Sequence, residues 1–227
     1  MKTCLIYLLL TSLDIAHAQV PAELQKSADQ GDAKAQVKVG LIYASAKGMP
    51  RDFAKAVEWY RKAAAQGNAE AQFYLGVMYD FGYGVTEDKV QACDWYVKSA
   101  FQGYAPAQNN LGIHYDDGLG LPHDPVRARE WFKKAADQGV ASSQVNLGHI
   151  YEDGDGVTQG YSQAMAWYRK AADQGDTDAE KAIGLMYQEG KGVDPDSAEA
   201  QKWYRKAGGL KVAPDAAPAP DPQQPPR

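Results

Sequence analysis

Disulfide bonds and a basic surface are the first features that this sequence lacks. Only two of its 227 residues are cysteines, Cys4 and Cys93, so a fold held together by disulfides is excluded. Lys and Arg number 24 against 29 Asp and Glu, and the net charge of −5 argues against a nucleic-acid-binding protein. Hydrophobic residues make up 44% of the chain and charged residues 23%, which excludes wholesale disorder.

A hydrophobic run long enough to span a membrane is also missing. The apolar stretch between Cys4 and Leu13 is far shorter than the roughly 20 residues of a spanning helix. It follows Lys2 and precedes the sequence Ala-His-Ala at 16–18, which fits a signal-peptidase site. Residues 1–18 are therefore predicted to be a signal peptide. The processed chain is predicted to be exported, either periplasmic or secreted, without membrane insertion.

Proline is sparse except near the last residue. Six of the 12 prolines lie within residues 214–227. Because proline has no backbone N–H and a fixed φ, this stretch cannot continue a helix or enter the interior of a sheet. Residues 211–227 are predicted to be a disordered tail rich in proline and alanine.

A repeat of 36 residues occupies the rest of the chain. Tryptophan followed by a second aromatic recurs five times at this spacing, and so does a glycine three residues before a tyrosine. The tryptophans are Trp59, Trp95, Trp131, Trp167 and Trp203, and the glycines are Gly40, Gly76, Gly112, Gly148 and Gly184. No insertion or deletion interrupts the five copies, which is typical of proteins whose structural units stack on one another.

Each copy predicts two helices. In the second copy Ala71 and Leu75 fall at helical spacing, and Gly82 can adopt the left-handed conformation that ends a helix. Asp88 is a candidate N-cap for the second helix. Its equivalents are Asp52, Asp124 and Asp196. Gly160 replaces this aspartate in the fourth copy, so the fourth cap is predicted to be the weakest.

These helices predict an all-α fold, a right-handed α/α superhelix (solenoid) of five helix-turn-helix repeats. An N-terminal capping helix is predicted over residues 19–30. The repeats are predicted at 31–66, 67–102, 103–138, 139–174 and 175–210. Glycine inside a helix costs about 1 kcal/mol relative to alanine, so Gly40 and its equivalents predict points where two helices approach closely.

The repeat as a whole resembles the Sel-one-like repeat (SLR), a relative of the tetratricopeptide repeat. The second copy carries the pattern as Ala71, Leu75-Gly76, Tyr79, Gly82, Gly84-Val85, Asp88, Ala92 and Trp95-Tyr96. The resemblance implies a scaffold or adaptor that binds proteins, not an enzyme. Some similar proteins are periplasmic immunity proteins that neutralise secreted toxins such as phospholipase effectors. One cysteine-rich branch has been linked to β-lactam hydrolysis, but this chain lacks the cysteines that staple each repeat of that branch.

No catalytic, cofactor or metal site is predicted. The sequence has no zinc-protease, phosphate-loop or nucleophile-elbow motif. Cys93 is predicted to be a small buried residue, with an intermolecular disulfide left open. His114, His123 and His149 are predicted to be ordinary surface residues, because a metal site would need further ligands in matching geometry.

Candidate partner-binding residues lie on the first helices, which in stacked helix pairs usually line the concave surface. Lys38, Tyr74, Asn110, Asn146 and Ala182 share one repeated position there. Five aromatic residues depart from the repeat pattern, namely Phe73, Tyr74, Phe81, Tyr83 and Tyr104. Of these, Phe73 and Tyr74 would supply an apolar anchor for the partner. Asparagine can donate to and accept from a peptide backbone.

Asp117 and Asp153 would add a negative rim to this surface. An ordinary solvent-exposed helix surface explains all of these side chains as well as a binding role does. A solvated helix end likewise explains the two aspartates. The predicted partner is a protein or peptide bound by a monomer, with no nucleic acid and no cofactor.

Overall fold

The computed structural model describes residues 20–45 and 50–208, and these ranges contain eleven helices and no strand. The helices are α1 (Ala22–Asp29), α2 (Ala33–Ala44), α3 (Phe53–Ala65), α4 (Ala69–Phe81), α5 (Lys89–Phe101), α6 (Ala105–Asp117), α7 (Pro125–Asp137), α8 (Ala141–Asp153), α9 (Tyr161–Ala172), α10 (Thr177–Glu189) and α11 (Ser197–Lys206). The all-α fold class and the repeated helix-turn-helix unit are confirmed. The predicted signal peptide and proline-rich tail lie outside the described residues.

The chain divides into two units, each with its own packing. The first extends to Gln138 and contains α1–α7, and the second begins at Gly139 and contains α8–α11. Within each unit every helix packs against the next one in sequence. The first helices of the repeats are α2, α4, α6, α8 and α10, and the second helices are α3, α5, α7, α9 and α11. Within each unit, neighbouring pairs bury each other's apolar sides, as expected of an α-solenoid.

Helix α1 covers the beginning of the first unit. Its residue Ala28 is buried in a cluster with Ala35, Val39 and Trp59. Nε2 of Gln36 also donates a hydrogen bond to the carbonyl oxygen of Ala28 at 3.0 Å. The helix therefore shields the outer side of α2, which fits the role of a capping helix.

Aspartates cap four of the five second helices. The side chain of Asp88 accepts hydrogen bonds from the backbone N–H groups of Val90 and Gln91. Asp52, Asp124 and Asp196 cap α3, α7 and α11 in the same way. Helix α9 begins after Gly160, which has no side chain to offer. Both the aspartate caps and their loss in the fourth repeat are confirmed.

The glycines inside the first helices each make room for an aromatic ring. A Cβ atom on Gly76 would lie 2.5 Å from Cδ1 of Tyr96, and one on Gly148 would lie 2.2 Å from Cε1 of Tyr168. Tyr60, Phe132 and Tyr204 occupy the same place against Gly40, Gly112 and Gly184. The predicted close approach is confirmed, and its cause is a ring from the second helix that lies directly on the backbone of the first.

A glutamine pair joins the two helices of each of the first four repeats. Nε2 of Gln66 donates to Oε1 of Gln36 at 2.8 Å. The other pairs are Gln102–Gln72, Gln138–Gln108 and Gln174–Gln144, at 2.7, 2.7 and 2.9 Å. In the fifth repeat the first-helix position is Glu180, whose Oε1 lies 3.1 Å from Nζ of Lys206. We call these five contacts the repeat joints.

Candidate binding face and buried polar cluster

The predicted binding residues of the first unit stand at one repeated position on successive first helices. We call Lys38, Tyr74 and Asn110 the first-helix face. Lys38 is exposed, whereas Tyr74 and Asn110 are half-buried. Oδ1 of Asn110 accepts a hydrogen bond from Nδ2 of Asn109 at 3.3 Å. Asp117, the last residue of α6, is exposed.

The two remaining predicted residues belong to the second unit. Asn146 is half-buried on α8, and Asp153, the last residue of that helix, is exposed. Like the residues of the first-helix face, they keep surface that a partner could contact. Their binding role stays a prediction.

Phe73 has little surface for a partner, because its side chain is packed among other rings. The residue is 8% exposed. Its ring centroid lies 5.4 Å from that of Tyr74, 5.4 Å from that of Tyr104 and 6.0 Å from that of Tyr96. Phe73 therefore supports this aromatic group from within. The solvent-accessible part of the group comes from Tyr74 and Tyr104.

The other aromatics that depart from the repeat pattern form a separate stack. The ring of Tyr83 lies 4.7 Å from that of Phe53 and 5.7 Å from that of Phe81. These three residues are half-buried. They fill the junction between the first and second repeats and do not extend the first-helix face.

Tyr74 rests on a buried tyrosine and lies near a carboxylate. Its ring is stacked on Tyr60, with centroids 5.1 Å apart. Burial raises the pKa of Tyr74, and Tyr104 and Glu70 add to the effect. Burial, together with the charge of Glu70, raises the pKa of Tyr104 to about 12. Both side chains therefore stay neutral phenols at physiological pH and lie within electrostatic range of Glu70.

The expectation of a surface histidine is wrong for His114, which is 1% exposed. Its Nε2 lies 3.1 Å from Oδ2 of the buried Asp80. The Asp80 carboxylate also accepts hydrogen bonds from the hydroxyl of Tyr96 at 3.1 Å and from Nζ of Lys89 at 2.9 Å. Nδ1 of His114 lies 3.1 Å from Sγ of Cys93. We call these five residues the Asp80 cluster, which ties α4, α5 and α6 together.

The Asp80 cluster contains a buried ion pair. Burial by itself lowers the pKa of His114, but the hydrogen bonds and charges of Asp80 and Cys93 outweigh it and raise the pKa to about 9. Burial would raise the pKa of Asp80, yet the hydrogen bonds and charges of His114 and Lys89 bring it below its ordinary value. Both groups are therefore charged at neutral pH. As an imidazolium, His114 donates from Nε2 to Asp80 and from Nδ1 to the Leu119 carbonyl oxygen, 2.8 Å away.

The Asp80 cluster contains a cysteine thiol, an imidazole and a carboxylate in a row, which are also the three groups of the catalytic triad of thiol-dependent hydrolases. Here the geometry favours a structural role. A catalytic imidazole must accept the proton of the thiol, whereas Nδ1 of His114 already donates to Leu119. Cys93 is 1% exposed, and its Sγ lies 3.1 Å from the same carbonyl oxygen, so a substrate has no access to the sulfur. Cys93 is buried as predicted, but it is a hydrogen-bonding member of the cluster.

The ion pair predicts a pH dependence of stability. A histidine whose pKa is raised on folding stabilises the fold fully below its unfolded pKa of about 6.5, and loses this contribution as the pH rises through about 9. We expect the free energy of unfolding to fall by on the order of 2–3 kcal/mol over this interval. In His114→Met most of this slope should disappear. Urea unfolding followed by circular dichroism between pH 6 and pH 9.5 measures the effect.

The control for this experiment is the exposed residue His123. His123→Gln should retain the slope of the wild-type protein, because this side chain is exposed and is not a member of the Asp80 cluster. An equally steep loss in His114→Met and wild type would show that other groups cause the pH dependence. Methionine is a suitable replacement, because the fold already holds it at the equivalent buried positions Met78 and Met186.

The repeat itself contained a signal for a buried His114. Its equivalents in the other four copies are all apolar and buried, namely Ile42, Met78, Ile150 and Met186. A histidine at such a position must find hydrogen-bond partners inside the protein. His149 lies one position out of register with His114 in the repeat. His149 is half-buried, and its Nδ1 lies 2.8 Å from the hydroxyl of Tyr168.

A second signal concerns the tyrosine that follows four of the five tryptophans. The residue 16 positions earlier is its hydrogen-bond acceptor in three repeats. The pairs are Tyr96–Asp80, Tyr168–Glu152 and Tyr204–Gln188, at 3.1, 2.8 and 3.0 Å. In the first repeat this position is Ala44, and the buried hydroxyl of Tyr60 has no partner in the part of the chain that the structure describes. The polar residue at this position therefore accepts the hydrogen bond of a tyrosine hydroxyl in the second helix.

Residues 20–45 and 50–208 contain neither a candidate metal cluster nor a helix suited to span a membrane. No three side chains of His, Cys, Asp or Glu come together there as a possible metal site. No helix in these ranges combines the length and the apolar character needed to cross a bilayer.

Comparison with known proteins identifies the repeat. The Sel1 repeat family matches residues 33–68, 69–104, 105–140, 141–176 and 177–210. The chain is 40% identical to a protective antigen present in uropathogenic Escherichia coli strains that displays an SLR fold, with a TM-score of 0.78 over 83% of this chain and 41% of that one. It is 39% identical to a Sel1 repeat protein from Oxalobacter formigenes, with a TM-score of 0.73 over 81% of this chain and 53% of that one. The chain thus spans about half or less of each of these two structures.

An immunity protein from Pseudomonas aeruginosa is similar at 24% identity, with a TM-score of 0.54 over 77% of this chain and 64% of that one, and this likeness shows the fold alone. No curated protein matches the chain. Five consecutive family matches on five helix pairs show that the chain belongs to the Sel1 repeat family.

Proposed function

We propose that this chain is an exported, non-catalytic scaffold that binds a protein or peptide through the first-helix face. Sel1 repeats are generally protein-interaction modules, which supports a binding role. The observation that carries the proposal is Tyr74, a half-buried tyrosine that stands where other repeats have Lys, Asn or Ala. Tyrosine is enriched at the centres of protein interfaces, and here its ring is already fixed by Tyr60.

The rest of the first-helix face can bind a peptide backbone. Asn110 occupies the position of Tyr74 in the next repeat, and an asparagine amide can both donate to and accept from a peptide unit. Asn146 and Ala182 continue this position in the second unit. Asp117 and Asp153 at the ends of α6 and α8 would favour a partner with basic groups. The proposed site of action, after removal of residues 1–18, is the periplasm or the exterior of the cell.

We predict that Tyr74→Asn combined with Asn110→Ala weakens peptide binding by at least about tenfold, because a buried tyrosine anchor is commonly worth 2 kcal/mol or more. Both replacements are residues that other repeats hold at this position, so the fold should be kept. The probe is a peptide selected with the full chain from a displayed random library. Fluorescence anisotropy of the labelled peptide gives Kd, and circular dichroism checks the fold.

The matched control changes the opposite side of the repeat. Val90 and Asp94 are exposed on the second helix α5, and Val90→Ala with Asp94→Ala should bind the peptide at wild-type affinity. The proposal fails if this control loses binding while the double variant at Tyr74 and Asn110 retains it. The partner would then contact the second helices.

An immunity function is the alternative within the same class of binding proteins, and the fold shared with the Pseudomonas aeruginosa protein motivates it. An immunity protein would hold one toxin tightly, whereas an adaptor accepts related peptides with moderate affinity.

The third possibility, a β-lactam hydrolase, would need a reactive nucleophile. The thiol of Cys93 is buried and hydrogen-bonded, which speaks against that use.

A further inference from the structure

A carboxylate that has no hydrogen-bond or ion-pair partner among the described residues lies beside the first-helix face. Glu70 is half-buried in the first turn of α4, and its side chain makes no hydrogen bond or ion pair within residues 20–45 and 50–208. Burial raises the pKa of Glu70, and the charge of Lys38 opposes this only partly. A carboxylate that is partly removed from water gains strongly from an added cation.

Two tyrosines lie within electrostatic range of this carboxylate. Tyr74 follows Glu70 by one helical turn and therefore lies on the same side of α4. Tyr104 immediately precedes α6, and the ring of Phe73 lies 5.4 Å from both tyrosine rings. The charge of Glu70 acts on the hydroxyls of both tyrosines. Aromatic faces attract cations, so a cation next to Glu70 would be held by the carboxylate and by two π-systems.

The repeat does not require these side chains for folding. The equivalents of Glu70 are Lys34, Pro106, Ser142 and Asp178, and those of Tyr104 are Asp32, Asn68, Val140 and Asp176. Only at the junction of the second and third repeats do a glutamate and two tyrosines occur together. Because the other copies build the same helix pair without them, the fold does not account for this group.

The protein's own lysine does not fill the position. Lys38 is on α2, is exposed, and forms no ion pair with Glu70. The charge of Lys38 offsets only part of the rise in the pKa of Glu70 that burial causes, so the two groups interact at a distance. Lys38 would therefore compete weakly with an external cation and would not replace one.

We propose that Glu70, Tyr74 and Tyr104 recognise one basic side chain, lysine or arginine, of the bound protein or peptide. This inference rests on the proposed function, since the basic residue would be part of the segment that lies on the first-helix face. Arginine fits best, because its planar guanidinium can stack on a tyrosine ring and donate to the carboxylate at the same time. The site thereby adds a charge requirement to a face that otherwise offers aromatic and amide contacts.

The test compares a peptide with its neutral isostere. A library peptide selected with the full chain is synthesised with arginine, and again with citrulline at the same position. We expect the arginine peptide to bind wild-type protein about tenfold more tightly, and the difference to shrink below about threefold in Glu70→Gln. Tyr104→Asn, which copies Asn68, should weaken binding of the arginine peptide.

The outcomes separate this inference from the function on which it rests. If arginine and citrulline peptides bind equally, and both lose binding in Tyr74→Asn with Asn110→Ala, the first-helix face binds peptides without a basic anchor and the inference is wrong. If the selected peptides bind that double variant as tightly as wild type, the proposed function is wrong as well. A selected pool without enrichment of lysine or arginine would also contradict the inference.

Discussion

Asp80→Ala is expected to lower the free energy of unfolding by about 3–5 kcal/mol, because removing one member of a buried ion pair leaves its partners uncompensated. The carboxylate is 3% exposed and contacts Lys89, Tyr96 and His114. Without it, His114 must give up its proton inside the protein or remain an unpaired cation. The hydroxyl of Tyr96 would also lose its acceptor, which by itself costs about 1–3 kcal/mol when the group is buried.

Gln188→Ala is the matched control for this substitution. Gln188 has the same repeat position as Asp80, but it is exposed and makes a single neutral hydrogen bond of 3.0 Å to Tyr204. Its removal should cost about 1 kcal/mol. Urea unfolding at pH 6.5 measures both variants. Similar small losses for the two would show that the charges of the Asp80 cluster add nothing to stability.

Trp131→Ala is expected to cost about 3–5 kcal/mol, the range observed when a buried aromatic is truncated. Trp131 is 7% exposed and packs in a core cluster with Tyr96 and Leu111. Its ring also receives the edge of Phe101, with centroids 5.2 Å apart, and Nζ of Lys134 lies 3.8 Å from its centroid. The substitution removes all of these contacts and leaves a cavity between helices that cannot easily close.

Trp203→Ala provides the comparison from the last repeat. Trp203 is half-buried on α11, and no further repeat packs on its helix within the described residues. Because each repeat is supported by its neighbours, the loss at Trp203 should be clearly smaller than at Trp131. Circular dichroism at increasing urea gives both values. Equal losses at the two tryptophans would contradict a stability that depends on neighbouring repeats.

The periodic part of the structure could be predicted because the same residue performs the same task in each copy. Five equally spaced glycines inside helices predicted a close approach of two helices, and this approach is present at Gly76, where the ring of Tyr96 lies against the helix backbone. The aspartate caps followed for the same reason, since an acid before a helix repeats at fixed spacing. Local rules of helix capping are sufficient for such positions.

The candidate site could be predicted only in part, because it consists of exceptions to the repeat. Phe73 and Tyr74 are both exceptions in the sequence, but which of them keeps an exposed surface depends on the rings of Tyr60 and Tyr104, which come from other parts of the chain. Nothing in the sequence distinguishes Glu70, since a glutamate in the first turn of a helix is common. Its significance depends on the absence of a partner, and that can be judged only in three dimensions.

The repeat joints bear on how the length of such a chain can change. Each of the first four joins two uncharged amides 30 residues apart, so the second helix of any of these copies meets the same neighbour. A gene duplication or deletion of 36 codons within this stretch would leave every remaining joint intact. The last copy is different, because Glu180 pairs with Lys206, and Leu210 stands where glutamine would be. We therefore expect the first four copies to be interchangeable in their joints, whereas the fifth copy forms its joint through an ion pair.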